Sequence, residues 1–236
     1  MTEVQDYTEL KGFRYERKYL ADSLNSFQTE QVIKIHPAGF SEIYQQRFIN
    51  NVYFDTPRFD FYYDNAVGRT DRVKFRIRWY GDLFGFIEEP ILELKIKQGT
   101  VGTKRSFKLK PFEFSENFKI HDFSDILKQS DLPEDVLLRV GSLKPSIINR
   151  YSRKYFRDFS QDFRITIDKD ISYFPVQNQI KIGRFFHKDM QNVVIELKYD
   201  NVLNKEATKI SNKLPFRLTK NSKYVTGVEL FYDVLD

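Results

Sequence analysis

The feature that most constrains the fold of this chain is an alternation of cationic and apolar side chains from Arg72 to Trp79. Arginine or lysine fills every even position of this stretch, and valine, phenylalanine, isoleucine and tryptophan fill the odd ones. Because successive side chains of a β-strand point to opposite faces, the pattern predicts a strand with one cationic and one apolar face. Shorter alternations of charged and apolar residues recur at 14–19, 92–97, 164–170 and 195–199.

A sheet that gathers cations on one face suggests that something anionic belongs there, because like charges opposite one another are destabilising. Two architectures are compatible with the pattern. The sheet can close into a barrel with its charged face inward, which gives a wet cationic channel. It can also stay open and antiparallel with its polar face in water, which is the commoner use of such alternation. Alternation alone does not decide between them.

Composition narrows the class of protein. The 236 residues are 41% hydrophobic and 16% aromatic, which indicates a globular chain. The net charge of +5 permits phosphate-rich partners. The absence of cysteine excludes disulfides and thiolate metal sites, and three scattered histidines argue against zinc. No apolar run reaches the length of a membrane span and no signal-peptide pattern is found, so we expect a cytoplasmic protein.

The remaining sequence reads as one α+β domain over 13–236, preceded by a flexible lead-in over 1–12. Predicted strands cover 13–20, 47–54, 71–80, 91–98, 104–109, 147–157, 163–170, 179–185 and 193–200. Four helical regions are predicted. The first is capped by Asp22 or Ser23, the second follows Pro57, the third covers 123–140 with an interruption at Pro133, and the last lies within 220–235. The glycines at 99 and 102 lie between strands, which disfavours a phosphate-binding P-loop.

Seven short motifs, in order along the chain, resemble the catalytic domain of the VTC polyphosphate polymerases, a branch of the triphosphate tunnel metalloenzyme (CYTH-like) superfamily. They lie at 14–19, 76–80, 93–95, 151–156, 164–168, 196–198 and 220–224. The resemblance covers about residues 13 to 232. It implies an antiparallel eight-stranded β-barrel with a cationic lumen and helices packed outside. It also implies transfer of the γ-phosphate of ATP to a growing inorganic polyphosphate chain, with dependence on Mn²⁺ or Mg²⁺.

The resemblance assigns roles to individual residues. The implied catalytic residues are Arg76, Arg78, Lys95, Arg153, Arg164 and Lys198. The implied substrate-binding residues are Arg14, Lys18, Lys108, Tyr151, Lys220, Ser222 and Lys223. Glu196 falls on the metal-binding glutamate, and Lys104 competes with Lys108 for one basic position. The chemistry is consistent with these roles, because arginine forks and lysine point charges both suit phosphate.

Three functions remain open from the sequence. Arg14 stands where hydrolytic members of the superfamily carry a glutamate, which favours a polymerase over a triphosphatase. A non-catalytic polyphosphate-binding module is the third alternative, and the roles of Glu16, Glu93 and Asp168 stay open. Nucleic acid is not expected as a partner, because the aromatic residues lie mainly on faces opposite the cations. The expected partners are ATP and inorganic polyphosphate. Any association with the inner face of a membrane is expected to run through a separate protein that translocates the product.

Overall fold

The computed structural model describes residues 14–99, 101–176 and 186–234. The lead-in expected over 1–12 and the strand expected at 179–185 lie outside the described residues. None of the helices in the described ranges is long and apolar enough to cross a membrane.

Strands dominate the described part of the chain. Their bounds are β1 Arg14–Ala21, β2 Ser41–Asp55, β3 Asp71–Tyr80, β4 Gly85–Ile87, β5 Ile91–Gln98, β6 Val101–Lys108, β7 Phe112–Phe114, β8 Lys144–Arg157, β9 Arg164–Pro175, β10 His187–Asp189, β11 Val193–Asp200 and β12 Arg217–Leu218. The helices are α1 Ser26–Lys34, α2 Asp60–Ala66, α3 Ile120–Gln129, α4 Glu134–Gly141, α5 Asn204–Ser211 and α6 Lys223–Phe231, with a 3-10 turn at Asn201–Leu203.

The strands form one large antiparallel sheet, which confirms the α+β class. Its main path runs β9, β11, β1, β6, β5, β3, β2 and β8. β9 also pairs with β8, so the sequence of paired neighbours returns to its first strand. Among the residues that the structure describes, one pair, Arg14 and Gly102, links β1 to β6. β10 and β12 pair with β9 and β1, and β4 and β7 form a separate ribbon.

The alternation in β3 divides the sheet into the two predicted faces. The apolar face carries Phe75, Ile77 and Trp79, each no more than 2% exposed. These side chains pack in one core cluster with residues of α3 and α4. A second cluster joins the apolar face of β1, β9 and β11 to α1 and α5. Helices therefore cover the apolar face, and we call the opposite side of the sheet, which carries Arg76, the charged face.

The last helix lies on the charged face, at one end of the sheet. A Cβ atom added at Gly227 would lie 2.8 Å from Cγ1 of Ile147 and 3.0 Å from Cδ1 of Tyr173, so the helix approaches the strands closely. Tyr224 stacks on Tyr53 of β2 with ring centroids 5.1 Å apart. α6 therefore occupies the end of the charged face at which β2 and β8 pair through Tyr53 and Ile147.

Some predicted boundaries were wrong. The cap of α1 is Asn25, whose side chain accepts a hydrogen bond from the Gln28 backbone, whereas Asp22 and Ser23 precede the helix. β2 begins at Ser41, six residues before the predicted start, because an exposed and irregular stretch of this strand still pairs with β8.

Candidate functional site

The first group of charges on the charged face centres on Glu93 of β5, which is 2% exposed. Nη2 of Arg76 lies 2.6 Å from Oε2 of Glu93, and Nη1 of Arg78 lies 3.5 Å from the same atom. Nζ of Lys104 lies 2.6 Å from Oε1. Burial raises the pKa of Glu93, but the three cations outweigh burial and hold that pKa well below its usual range. Glu93 is therefore a carboxylate that fixes two arginines side by side.

The second group joins β1 to β11 through Glu16 and Glu196. Nζ of Lys18 lies 3.3 Å from Glu16 and 3.6 Å from Glu196. Nζ of Lys198 lies 3.7 Å from Glu16 and 2.7 Å from Glu196, and Lys95 of β5 reaches Glu16 at 3.1 Å. These contacts follow from the register, which pairs Glu16 with Lys198 and Lys18 with Glu196. Each carboxylate therefore faces a cation across the strand pair.

The third group centres on Asp168 of β9, which is fully buried. Arg153 of β8 donates two hydrogen bonds to its carboxylate, and Lys223 of α6 donates one. Arg153 also lies 3.3 Å from Glu196, which links this group to the second. Nζ of Lys223 lies 4.7 Å from the ring centroid of Tyr151, so both cations that bind Asp168 also contact this aromatic ring.

The N-terminus of α6 meets the same face. Nζ of Lys74 donates a hydrogen bond of 2.8 Å to the hydroxyl of Ser222, which also caps the helix by accepting from Val225. Nζ of Lys18 donates to the carbonyl of Asn221 at 2.9 Å. Backbone N–H groups at a helix N-terminus favour anions, so this end of the charged face adds to its positive potential.

Cations outnumber carboxylates on the charged face, and this excess lowers the pKa values of two lysines. Burial and the neighbouring cations, Lys18 first among them, lower the pKa of Lys74 well below its usual range. Glu16 raises the pKa of Lys95, but burial and the neighbouring lysines outweigh it and lower that pKa to about 8. A lysine whose pKa is lowered by other cations regains its charge when an anion binds nearby. The described face therefore carries an excess of positive charge, which favours binding of an anion.

Most of the residues implied by the resemblance come together in these groups. They are Lys18, Arg76, Arg78, Lys95, Arg153, Tyr151, Lys198, Ser222, Lys223 and Glu196. Arg164 lies on the same face, in register with Lys198. Arg14 begins β1, and its side chain lies outside the described residues. Lys108 and Lys220 are exposed, and within the described part of the chain no ion pair or hydrogen bond ties either of them to the three groups. The carboxylate of Glu93 contacts Lys104, so the assignment of Lys108 stays a prediction.

Sequence reasoning left the roles of three carboxylates open and did not assign Lys74 to the site. Glu16, Glu93 and Asp168 stood at alternating positions, but their cation partners come from other strands, so only the register reveals them. Lys74 had the clearest sequence signal, since it lies on the same strand face as Arg76. The expectation that aromatic residues lie mainly opposite the cations holds for Phe75 and Trp79 of β3, but Tyr53, Tyr80 and Tyr151 lie on the charged face.

A divalent cation fits this site only with help from a substrate. Mg²⁺ and Mn²⁺ prefer oxygen ligands, and Glu196 supplies carboxylate oxygens. Among the described residues, however, no group of three or more His, Cys, Asp or Glu side chains is placed to hold a metal ion. The residues therefore suit an ion whose coordination is completed by phosphate oxygens and water.

Comparison with known proteins identifies the family. The sequence profile of the VTC domain matches residues 13–232. This chain belongs to the VTC domain family. Among curated proteins, none matches this VTC domain.

Solved structures share the fold of this VTC domain at low identity. An adenylyl cyclase candidate from Hippeastrum, described as having a dominant triphosphatase activity, is 12% identical with a TM-score of 0.50, and the match covers 94% of this chain and 98% of that one. An adenylate cyclase candidate from Vibrio parahaemolyticus is 11% identical with a TM-score of 0.50, and the match covers 90% and 95%. At these identities the similarity shows the fold alone.

Proposed function

We propose that this VTC domain is an ATP-dependent polyphosphate polymerase that works inside a basic tunnel. The observation that carries the proposal is the convergence of Arg76, Arg78, Lys95, Arg153 and Lys198 on one sheet face in a chain of this family. The expected substrates are ATP and inorganic polyphosphate. Delivery of the product across a membrane is assigned to a separate protein.

The strand pairings support the tunnel. Eight strands enclose an interior just wide enough for side chains or one small ligand when they close into a barrel. Here β9 pairs with both β11 and β8, which gives every strand of the eight-membered path two neighbours. In this arrangement the charged face becomes the lumen, the helices on the apolar face lie outside, and α6 occupies one end.

The reaction needs charge stabilisation more than a proton acceptor. A terminal phosphate oxygen of polyphosphate forms a bond to the γ-phosphorus of ATP, the bond from that phosphorus to the β–γ bridging oxygen breaks, and ADP leaves with the electron pair. The attacking oxygen is already anionic, so the arginines and lysines act by holding both phosphates in line and by stabilising charge on the transferring group. Glu196 would hold the divalent cation, which when bound neutralises charge on phosphate oxygens.

One observation favours a second candidate, hydrolysis of inorganic or organic triphosphate in the same tunnel. Glu16 lies in the group around Lys18 and Lys198, together with Glu196. A carboxylate beside the proposed metal ligand can orient a water molecule for attack on the terminal phosphorus, and water is then the acceptor in place of polyphosphate.

A product assay separates the possibilities. The protein is incubated with ATP and Mn²⁺, and the products are resolved into polymer, free phosphate and ADP. Polymer with ADP supports the polymerase. Free phosphate without polymer would identify a triphosphatase instead. Neither product, together with measurable polyphosphate binding, would identify a non-catalytic binding module and overturn the proposal.

A further inference from the structure

An arginine surrounded by tyrosines lies on the charged face, beside Arg153 of the third group of charges. Cζ of Arg47 lies 5.0 Å from the ring centroid of Tyr44, 5.1 Å from that of Tyr80 and 5.1 Å from that of Tyr155. Tyr44 and Tyr80 are 54% and 44% exposed, so the cluster is open to solvent. We call these four residues the Arg47 cluster.

The Arg47 cluster lies on the charged face, toward the end of the sheet opposite the one that α6 covers. Arg47 is the cross-strand partner of Arg153, so their Cβ atoms are neighbours on one face. Tyr53, on which α6 packs, is six residues farther along the same strand, which corresponds to about 20 Å. A linear chain that extends from Arg153 away from α6 therefore passes Arg47.

The guanidinium of Arg47 is held in place but has no counter-charge. Within the described ranges, no carboxylate and no hydrogen-bond acceptor contacts it. Aromatic rings that contact a guanidinium stabilise it through its π-faces and leave its N–H edge available for hydrogen bonds.

We infer that the Arg47 cluster is an outer binding site for linear polyphosphate, separate from the site that holds the triphosphate of ATP. It would contact phosphate units of the chain beyond those bound near Arg153. The inference rests on the proposed function, and it adds the place at which a long chain is held outside the reacting centre.

The exposed tyrosines raise the question of a nucleobase as the occupant. The three rings already contact the Arg47 guanidinium, so a stacked base would have to displace a favourable cation–π contact. A phosphate adds to the arrangement without displacing anything, because it binds the guanidinium edge. The geometry therefore favours the polyanion, and the nucleobase becomes an outcome of the test.

The test compares Arg47→Gln with Arg150→Gln. Arg150 is also stacked on an aromatic ring, with Cζ 4.0 Å from the centroid of Phe48, but it hydrogen-bonds to Asn50 on the apolar face. Equilibrium dissociation constants are measured by calorimetry for a linear polyphosphate of several tens of units, inorganic tripolyphosphate and a non-hydrolysable ATP analogue. Each titration is run at low and at moderate salt, and circular dichroism confirms folding of both variants.

We expect Arg47→Gln to weaken long-chain binding roughly threefold to tenfold, as for loss of one partly exposed charge-assisted contact. The slope of log affinity against log salt should become shallower by about one. Binding of tripolyphosphate and of the ATP analogue should stay within about twofold of wild type, and Arg150→Gln should leave all three ligands unchanged.

Other results would overturn the inference. Unchanged long-chain binding would remove Arg47 from the path of the polymer. An equal loss for polyphosphate and tripolyphosphate would place Arg47 in the central site instead. A loss for the ATP analogue alone would make the cluster a nucleobase site. Failure of the wild-type protein to bind any of the three ligands would be a failure of the proposed function itself, and it would be seen before any variant is compared.

Discussion

Lys223, in the first turn of α6, donates a hydrogen bond of 2.5 Å to Oδ2 of Asp168 on β9. Lys223 is 7% exposed and Asp168 is 0% exposed, so this bond ties the helix to the sheet in a buried setting. Burial raises the pKa of Asp168, but Arg153 and Lys223 outweigh burial and hold it below its usual range. Lys223 therefore anchors α6, and a direct phosphate contact by this residue stays a prediction.

The first expectation concerns this anchor. Lys223→Met keeps most of the side-chain volume but leaves Asp168 with Arg153 as its remaining cation, so the free energy of unfolding should fall by about 1–3 kcal/mol. Lys220→Met is the control, because Lys220 is exposed and its replacement should change stability by less than about 0.5 kcal/mol. Urea unfolding measures both. Equal stabilities of the two variants would contradict the anchoring role.

Arg76→Ala and Arg78→Ala should each lower turnover by about 10²–10³ or more, because under the proposed function each removes a guanidinium that stabilises the transferring phosphate. Arg105→Ala is a matched control on the apolar face, where Arg105 binds Asp135 of α4 at 2.9 Å. Steady-state rates with ATP and Mn²⁺ measure the effect. Activity within a few-fold of wild type in either of the first two variants would rule out their catalytic assignment.

Glu196→Gln should retain binding of a non-hydrolysable ATP analogue without metal but lose metal-dependent turnover. The amide keeps the shape of the side chain and removes the charge that a divalent cation requires. Glu93→Gln is the control, since Glu93 is equally surrounded by cations but lies on β5 in a different group. Calorimetric titration of Mn²⁺ in the presence of the analogue provides the readout. An unchanged metal affinity in Glu196→Gln would make Glu196 an ion-pair partner only.

Lys95 should give triphosphate binding a pH dependence. Its pKa is lowered to about 8 in the folded protein, so its charge is present below pH 8 and lost above it. Between this pKa and the higher pKa of the lysine in the unfolded chain, the unfolded state binds more protons than the folded state. The contribution of Lys95 to the free energy of unfolding therefore rises with pH across this range. Binding of an anion needs the charged form, and affinity should fall by up to about tenfold between pH 7 and 9.

Lys95→Arg tests that dependence, because a guanidinium stays charged across this range. The decline in affinity should become shallower in the variant, while the titration of the ligand itself is common to both proteins. Parallel affinity profiles for wild type and Lys95→Arg would show that another group is responsible.

Strong local patterns allowed much of the fold to be predicted. The alternation from Arg72 to Trp79 gave both the strand and its two faces, and β5 and β11 were predicted close to their observed bounds. Helix α5 escaped prediction because it buries only Ala207 and Ile210 and therefore has little apolar periodicity. β4 and β7 contain three residues each, which is too short for an alternating pattern to be detected in the sequence.

The site was less accessible from sequence, because its contacts depend on register between distant strands. Nothing near Glu93 in the sequence indicates that its carboxylate binds Lys104, whose strand pairs with β5. The resemblance placed Lys220, Ser222 and Lys223 at the site, but the position of the rest of α6 on the charged face was not predicted. Leu230 of this helix is 40% exposed, whereas the polar Lys223 and the small Gly227 are buried against the sheet. A helix stripe shows which side is apolar but not which surface covers it.

The most direct test of the central claim follows the γ-phosphate of ATP. The protein is incubated with ATP labelled at the γ-phosphorus, Mn²⁺ and a short polyphosphate primer, and the products are separated by size. A polymerase places the label in chains longer than the primer and releases one ADP for each phosphate transferred. Label recovered only as free phosphate, or label that stays in ATP while the primer remains bound, would contradict the account.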